Sequence, residues 1–264
     1  RLTDVTGVQT CALPIYGALR NKLAIVDQLQ ADLLIAQECE DPENSIETYR
    51  EWAGDYLWVG DSVHKGIGVF PKNGNTVKKL DWNRQFSVKG FSSSSPAMNW
   101  SSHELKLFLP FLLNDTYLML AVWTKGKDDL VFGYIGQFWK YMQIHAQDFQ
   151  CPNSIIIGDF NSNTRWDKPD SWWNHSDVVQ HLESIGVVSL YHQQSGEVQG
   201  QETQATFYMQ RKLEKPYHID YAFISRDICK RSKLEIGDAE TWLSFSDHLP
   251  LVLTVDSDTI VSLF

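Results

Sequence analysis

Ser154-Ile155-Ile156-Ile157-Gly158-Asp159-Phe160-Asn161-Ser162-Asn163 is an apolar, β-branched run that stops at a glycine and continues into an acid and an amide. Such a run suits a strand covered on both faces, and Gly158 permits a sharp turn or a close backbone approach at its end. Asp159 and Asn161 are two residues apart, so on extended backbone they would point the same way. A buried strand that delivers a carboxylate and an amide to one edge is an arrangement for holding a metal, a phosphate or a water.

Working outward, apolar and aromatic residues recur with helical period over 130–149, which predicts a helix packed on the sheet just before this strand. Residues 104–112 and 117–123, separated by Asn114-Asp115, read as a hairpin, and so do 56–59 and 66–70 around a turn at 61–65. Short strands are expected over 76–80 and 85–89, with a Ser-rich loop at 92–96. Nearer the amino terminus, residues 18–30 carry an amphipathic helical pattern and 32–38 a short buried strand ending in Glu38. Downstream, a Trp- and Asp-rich loop over 165–175 leads to a helix at 178–185. Further strands are expected at 187–191, 206–208, 217–224, 233–236 and 249–255. Trp166, Trp172 and Trp173 are open to two readings, lining a substrate mouth or capping the core under a long loop. The order of elements predicts an α/β (α+β) four-layer sandwich, two packed and mostly antiparallel or mixed β-sheets flanked by helices.

The chain has 264 residues, 43% of them hydrophobic, enough for a substantial core in one large domain. A formal charge of −10 argues against coating nucleic acid by broad electrostatics, although a local basic groove is compatible with it. No run of apolar residues is long enough to suggest a membrane span. Cys11, Cys39, Cys151 and Cys229 have neither a CxxC spacing nor a paired pattern, so a reducing, cytoplasmic setting is expected, with Cys39 and Cys151 as small core residues. A monomer is the expected state.

The amino terminus reads differently. Val5-Thr6-Gly7-Val8-Gln9-Thr10-Cys11-Ala12-Leu13-Pro14-Ile15 resembles the translation of a sequencing-library adapter. We therefore expect residues 1–16 to be artefactual, the single domain to span 17–264, and a native first strand to have been replaced.

Four clusters place polar groups beside apolar strands: Gln37-Glu38, Asp159 with Asn161, Asp220 within His218-Ile219-Asp220-Tyr221, and Asp247-His248 before Leu249-Pro250. Isolated carboxylates are costly to bury, and that cost is understandable if they converge on a cation and a phosphate. Oxygen donors of this kind suit Mg²⁺ or Mn²⁺ rather than zinc. His248 is the natural candidate for a base or acid at neutral pH. Each cluster alone carries little. Together, in this order, they resemble the endonuclease/exonuclease/phosphatase superfamily of metal-dependent phosphohydrolases, over residues 18–255.

The resemblance implies hydrolysis of a phosphate ester, in a phosphodiester, nucleic acid or phosphomonoester, by metal-assisted water attack. It implies that Glu38 binds the cation with assistance from Asp247, that Asp159 positions or deprotonates the water, and that Asn161 holds a phosphate oxygen. His248 would act on the phosphate, oriented by Asp220. Two departures stand out. The family's first strand ends in a polar Trp-Asn-x-Asn/Asp-Gly-like motif, where this chain has Pro14 and Tyr16 before Gly17. The strand at 117–123 runs on into Thr124-Lys125 in place of an Asn-x-His or Asn-x-Tyr phosphate contact. Lys125 could replace that donor or be a solvated loop residue, and Arg165 could meet phosphate or sit in a surface ion pair. His218, two residues before Asp220, would share its face on extended backbone, whereas His64 and His103 read as surface residues. A non-catalytic binding module on the same fold is the alternative.

Overall fold

Ile155 and Ile157 point into the core between two sheets while Ile156 points the other way, into a second core under helices. That alternation is the period of a strand, and it makes every position of the run apolar because both faces are covered. The computed structural model of the chain describes residues 7–15, 17–88, 98–126 and 132–256. The Ser-rich loop expected at 92–96 and the departure at position 16 lie outside the described residues.

Two six-stranded sheets face each other. The first runs Ser232–Ile236, Leu251–Asp256, Gly7–Pro14, Leu33–Cys39, Lys65–Pro71, Leu57–Ser62. The second runs Val187–Ser189, Asp220–Ser225, Ser154–Asp159, Tyr117–Trp123, Phe108–Leu113, Val77–Lys79. Both are mixed. Gly7–Pro14 lies parallel to Leu33–Cys39, and Ser154–Asp159 parallel to Tyr117–Trp123, while the remaining pairings are antiparallel. Leu33, Ile35, Ile67 and Val69 of the first sheet meet Leu109, Met119, Ala121 and Ile157 of the second. Outside the second sheet, Phe138, Tyr141 and Met142 of the Ile135–His145 helix and Val178 and Leu182 of the His175–Ser184 helix cover Leu120, Val122 and Ile156. Outside the first, Val26, Tyr49 and Trp242 cover Leu34, Ala36 and Phe70. The four-layer sandwich is as expected from the element order.

Several local expectations change. The helix expected over 18–30 shrinks to a 3₁₀ turn, Leu19–Asn21, and a short α-helix, Leu23–Asp27, bounded by left-handed backbone at Ala18 and Gln30. The strand expected over 187–191 ends at Ser189, and Leu190–Ser195 is helical. The strand expected over 217–224 is two strands, Pro216–Tyr217 and Asp220–Ser225, interrupted at His218-Ile219. Gly7–Pro14, within the segment with the adapter-like sequence, fills an inner position of the first sheet between Leu251–Asp256 and Leu33–Cys39.

Candidate functional site

The ends of Ser154–Asp159 and Leu33–Cys39, the start of Asp220–Ser225 and the loop before Leu251–Asp256 meet at one edge of the sandwich. Asp159 is paired directly with Asp220 across the antiparallel ladder. This register sets two buried carboxylates side by side, and His248 joins them. One ligand atom from each of Asp159, Asp220 and His248 lies within 4.8 Å of the others.

His248 Nδ1 donates to Asp220 at 2.9 and 3.1 Å. Burial opposes a charge on the imidazole, but Asp220, with Asp159 and Asp247 beyond it, outweighs that and lifts the pKa to about 9. The carboxylates around it favour the charged form of the ring, in which it acts as a donor. Asp159 is raised as well, for the opposite reason. Burial raises its carboxyl well above the usual carboxylate range, helped by Asp220 and opposed by His248 and the Asn161 N–H. Neighbouring buried groups whose proton affinities are both shifted by burial and by one another's charge are a pattern of functional sites.

Asn161 does not lie on extended backbone. It is left-handed, at φ 46°, and folds back so that its N–H donates to Asp159 Oδ1 at 2.8 Å and its Nδ2 to Asp159 Oδ2 at 2.6 Å. The same amide donates to Thr124 O at 3.1 Å. Both amide hydrogens thus have acceptors, so Asn161 holds Asp159 directly. Gly158 makes the approach possible. At φ +146°, a Cβ there would stand 2.0 Å from Val122 O and 2.8 Å from the Gln37 amide nitrogen.

Glu38 sits on a bulge where the register of Leu33–Cys39 against Lys65–Pro71 slips, with φ at 61°. The bulge aims its partly exposed carboxylate away from the ladder, to Lys65 Nζ at 2.9 Å. Asp247 is half-buried, and its Oδ1 is buried without a hydrogen-bond partner. Burial raises its pKa, and Glu38 adds to that effect despite His248. A half-buried Asp247 carboxylate with an orphaned oxygen and the Glu38 charge nearby is a donor of the kind a hard cation takes.

Of the remaining candidates, Lys125 lies 3.9 Å over the Trp123 ring and 3.4 Å from Asp61. The exposed Arg165 guanidinium lies 6.0 Å from the Tyr217 ring. His218 turns away from Asp220: its Nδ1 donates to Gln204 O at 2.8 Å and its ring packs on Tyr191 and Tyr221. The His218–Asp220 alignment expected from extended backbone fails because the strand breaks between them.

Sequence reasoning missed the groups that hold the site from behind. Thr206 Oγ1 accepts from the Ile219 and Asp220 N–H groups, both at 3.0 Å. Ser246 Oγ donates to Pro14 O at 2.6 Å and accepts from His248 N at 3.0 Å, tying the His248 loop to the Gly7–Pro14 strand. Asn163 Nδ2 reaches Glu202 at 3.0 Å, and Glu202 also accepts from Gly200 N at 2.9 Å and from His192 Nε2 at 3.2 Å. Burial would raise the Glu202 pKa, but these donors outweigh it and bring it to about 2. Asn163, placed after Asp159 and Asn161 at the same spacing, carried the one signal that could have been read in advance.

No protein-family model matches the sequence, and no curated protein sequence matches it significantly. Solved structures do match the fold. An AP endonuclease from Archaeoglobus fulgidus superposes with a TM-score of 0.64 at 17% identity, covering 95% of this chain and 100% of that one. The 3′ phosphatase NExo from Neisseria, bound to product DNA hairpin, gives 0.61 at 14%, over 95% and 100%. Truncated TDP2 from Caenorhabditis elegans gives 0.59 at 14%, over 96% and 100%. At these identities the likeness is one of fold.

Proposed function

We propose that the chain is a divalent-metal-dependent hydrolase of phosphate esters. The observation that carries this reading is the convergence of Asp159, Asp220 and His248 at the edge of a sandwich of this type. Glu38 and Asp247 would hold Mg²⁺ or Mn²⁺, which when bound supplies Lewis-acid polarisation of a phosphoryl oxygen.

The chain's own groups divide the remaining work. Asp159, its carboxyl raised above the usual carboxylate range by burial, accepts the proton of the attacking water as the new P–O bond forms. Asn161 fixes the rotamer of Asp159 through its two hydrogen bonds. The His248 imidazolium donates an N–H to a phosphoryl oxygen, where negative charge builds up as the ester bond breaks. Asp220 keeps the imidazole oriented and charged.

A panel of p-nitrophenyl phosphate, bis-p-nitrophenyl phosphate and an abasic-site duplex, each with Mg²⁺ or with EDTA, tests the proposal. Turnover of at least one substrate that EDTA abolishes is expected; no metal-dependent turnover on any of them would reject it. A second reading, a binding module that keeps the fold without the chemistry, draws on the end of the Gly7–Pro14 strand. It brings buried Leu13, Pro14 and Ile15 to the site edge, with no carboxylate or amide side chain among them.

A further inference from the structure

Away from the phosphate site, three side chains form a relay that the proposed chemistry does not use. Ser102 opens the 3₁₀ turn Ser102–Glu104, and its Oγ lies 2.7 Å from His145 Nε2. His145 ends the Ile135–His145 helix, and its Nδ1 lies 3.0 Å from Asp148 Oδ2 in the 3₁₀ turn that follows. Arg84 donates to both oxygens of Asp148, at 2.7 and 2.9 Å, and holds it as a carboxylate. A carboxylate only accepts, so Nδ1 carries the ring proton and Nε2 is left as the acceptor facing the serine. Burial, helped by Arg84, lowers the His145 pKa against the pull of Asp148, which keeps the imidazole neutral and able to take a proton. Trp82 stacks on the ring at 4.8 Å and Tyr141 meets it at 4.6 Å, which fixes its plane. The Ser102 hydroxyl also accepts from Arg84 N–H at 3.2 Å and lies 3.2 Å from Arg84 O, so the imidazole is its nearer acceptor. Hydroxyl, imidazole and carboxylate in this order are the arrangement that activates a serine as a nucleophile.

Two further features set the relay apart from a network that only ties loops together. Ser102 stands in the wall of a cavity of about 610 Å³, between the edge strand Leu57–Ser62 of the first sheet and Phe108 and Pro110 of the second. That is the size of a site for a small molecule. Tyr141, 2% exposed and one helical turn before His145, shares the wall, and its hydroxyl has no hydrogen-bond partner among the described residues. A buried donor without an acceptor is costly, and a ligand oxygen would remove that cost. Leu80, Trp82, Leu105 and Phe108 add apolar surface to the same wall.

We infer that this cavity is a second, metal-independent site that hydrolyses small carboxylic esters, with Ser102 as the nucleophile. Ser102 Oγ bonds to the ester carbonyl carbon as its proton passes to His145 Nε2, and the Tyr141 O–H donates to the carbonyl oxygen as that oxygen gains charge. The bond to the alcohol oxygen then breaks, and His145 gives the proton to the departing alcohol. Water next gives a proton to Nε2 and its oxygen to the acyl carbon. The acyl–Oγ bond breaks, Oγ recovers the proton, and a carboxylic acid leaves. Asp148 and Arg84 are positioning residues that act through the imidazole. The site shares no residue with the group of Asp159, Asp220 and His248, so it stands apart from the phosphate-ester reading.

The test uses the full chain in EDTA with p-nitrophenyl butyrate, together with a fluorophosphonate probe whose attachment point is read by peptide mass spectrometry. The wild type should turn the ester over, and the probe should attach to Ser102 and abolish that turnover. Ser102→Ala should lose about a hundredfold or more in rate. Tyr141→Phe, which keeps the ring, should lose roughly a hundredfold. Thermal melting of each variant reports whether the fold is intact. No turnover by the wild type in EDTA, a probe attached elsewhere or not at all, or a folded Ser102→Ala or Tyr141→Phe variant with the wild-type rate would each overturn the inference. Should Ser102→Ala fail to fold, the attachment point of the probe in the wild type decides.

Discussion

Glu202 illustrates how a side chain remote from the reacting atoms supports those that touch them. Its buried carboxylate gathers Asn163, Gly200 and His192, and Asn163 anchors the turn that carries Asn161 and Asp159. A folded-state pKa lowered from 4.5 to about 2 contributes stability that is present above pH 4.5 and lost as pH falls toward 2. Glu202→Ala should therefore lower the melting temperature at pH 6, with the gap to wild type narrowing as pH approaches 3; a gap independent of pH would show that the charge does not matter. Gly158→Ala should cost more than about 1 kcal/mol in urea unfolding, because the new methyl meets the Val122 carbonyl at a φ that side chains rarely adopt. Asp159, Asp220 and His248 were legible in the sequence because each ends or adjoins an apolar strand. The Asn163–Glu202–His192 network was not, since its members lie on separate loops that only the fold brings together. Asp159 and Asn161 were expected to point the same way from extended backbone, whereas a left-handed turn at Asn161 folds its amide onto Asp159 instead.

The Ser154–Asp159 strand draws its rigidity from the next residue, Phe160, as much as from its isoleucines. Phe160, fully buried, meets Phe138, Tyr221 and Phe223 edge-on, its N–H bonds Ile219 O and its carbonyl accepts from Thr124. It locks the backbone between the two polar side chains. Phe160→Ala should cost about 3–5 kcal/mol in chemical denaturation. Where the folded protein remains populated, it should also depress turnover; a loss under about 1 kcal/mol would mean that the strand end is held by other contacts. The β-branched strands and the helix before this strand were readable from periodicity. The long helix expected over 18–30 was not formed because backbone at both ends turns left-handed, and amphipathic spacing alone does not reveal that. The short Leu190–Ser195 helix was hidden by apolar Val187–Leu190, which reads as strand whether or not it continues as one.

As a whole, the molecule brings its polar strand ends to one edge because both sheets run inner strands in parallel, Gly7–Pro14 with Leu33–Cys39 and Ser154–Asp159 with Tyr117–Trp123. The four layers were legible from element order, while the strand at 7–14 was set aside for its adapter-like sequence and nevertheless completes the first sheet. We retain as a proposal that residues 1–16 have this foreign origin, and amplification of the gene with primers lying upstream would decide it: an unrelated opening strand supports the proposal, the same codons refute it. Glu38 and Asp247, with an orphaned oxygen on Asp247, are proposed to gain a cation. Mg²⁺ should then raise the melting temperature of wild type and have a much smaller effect on Glu38→Gln; equal shifts in the two would place the ion elsewhere. The proposal that Asp159 and His248 act on a phosphate ester is tested most directly by the rate of bis-p-nitrophenyl phosphate hydrolysis in Mg²⁺ for wild type, Asp159→Asn and His248→Ala. Metal-dependent turnover by wild type and a loss of roughly a hundredfold or more in each folded variant are expected; variants that hydrolyse at near wild-type rates would contradict it.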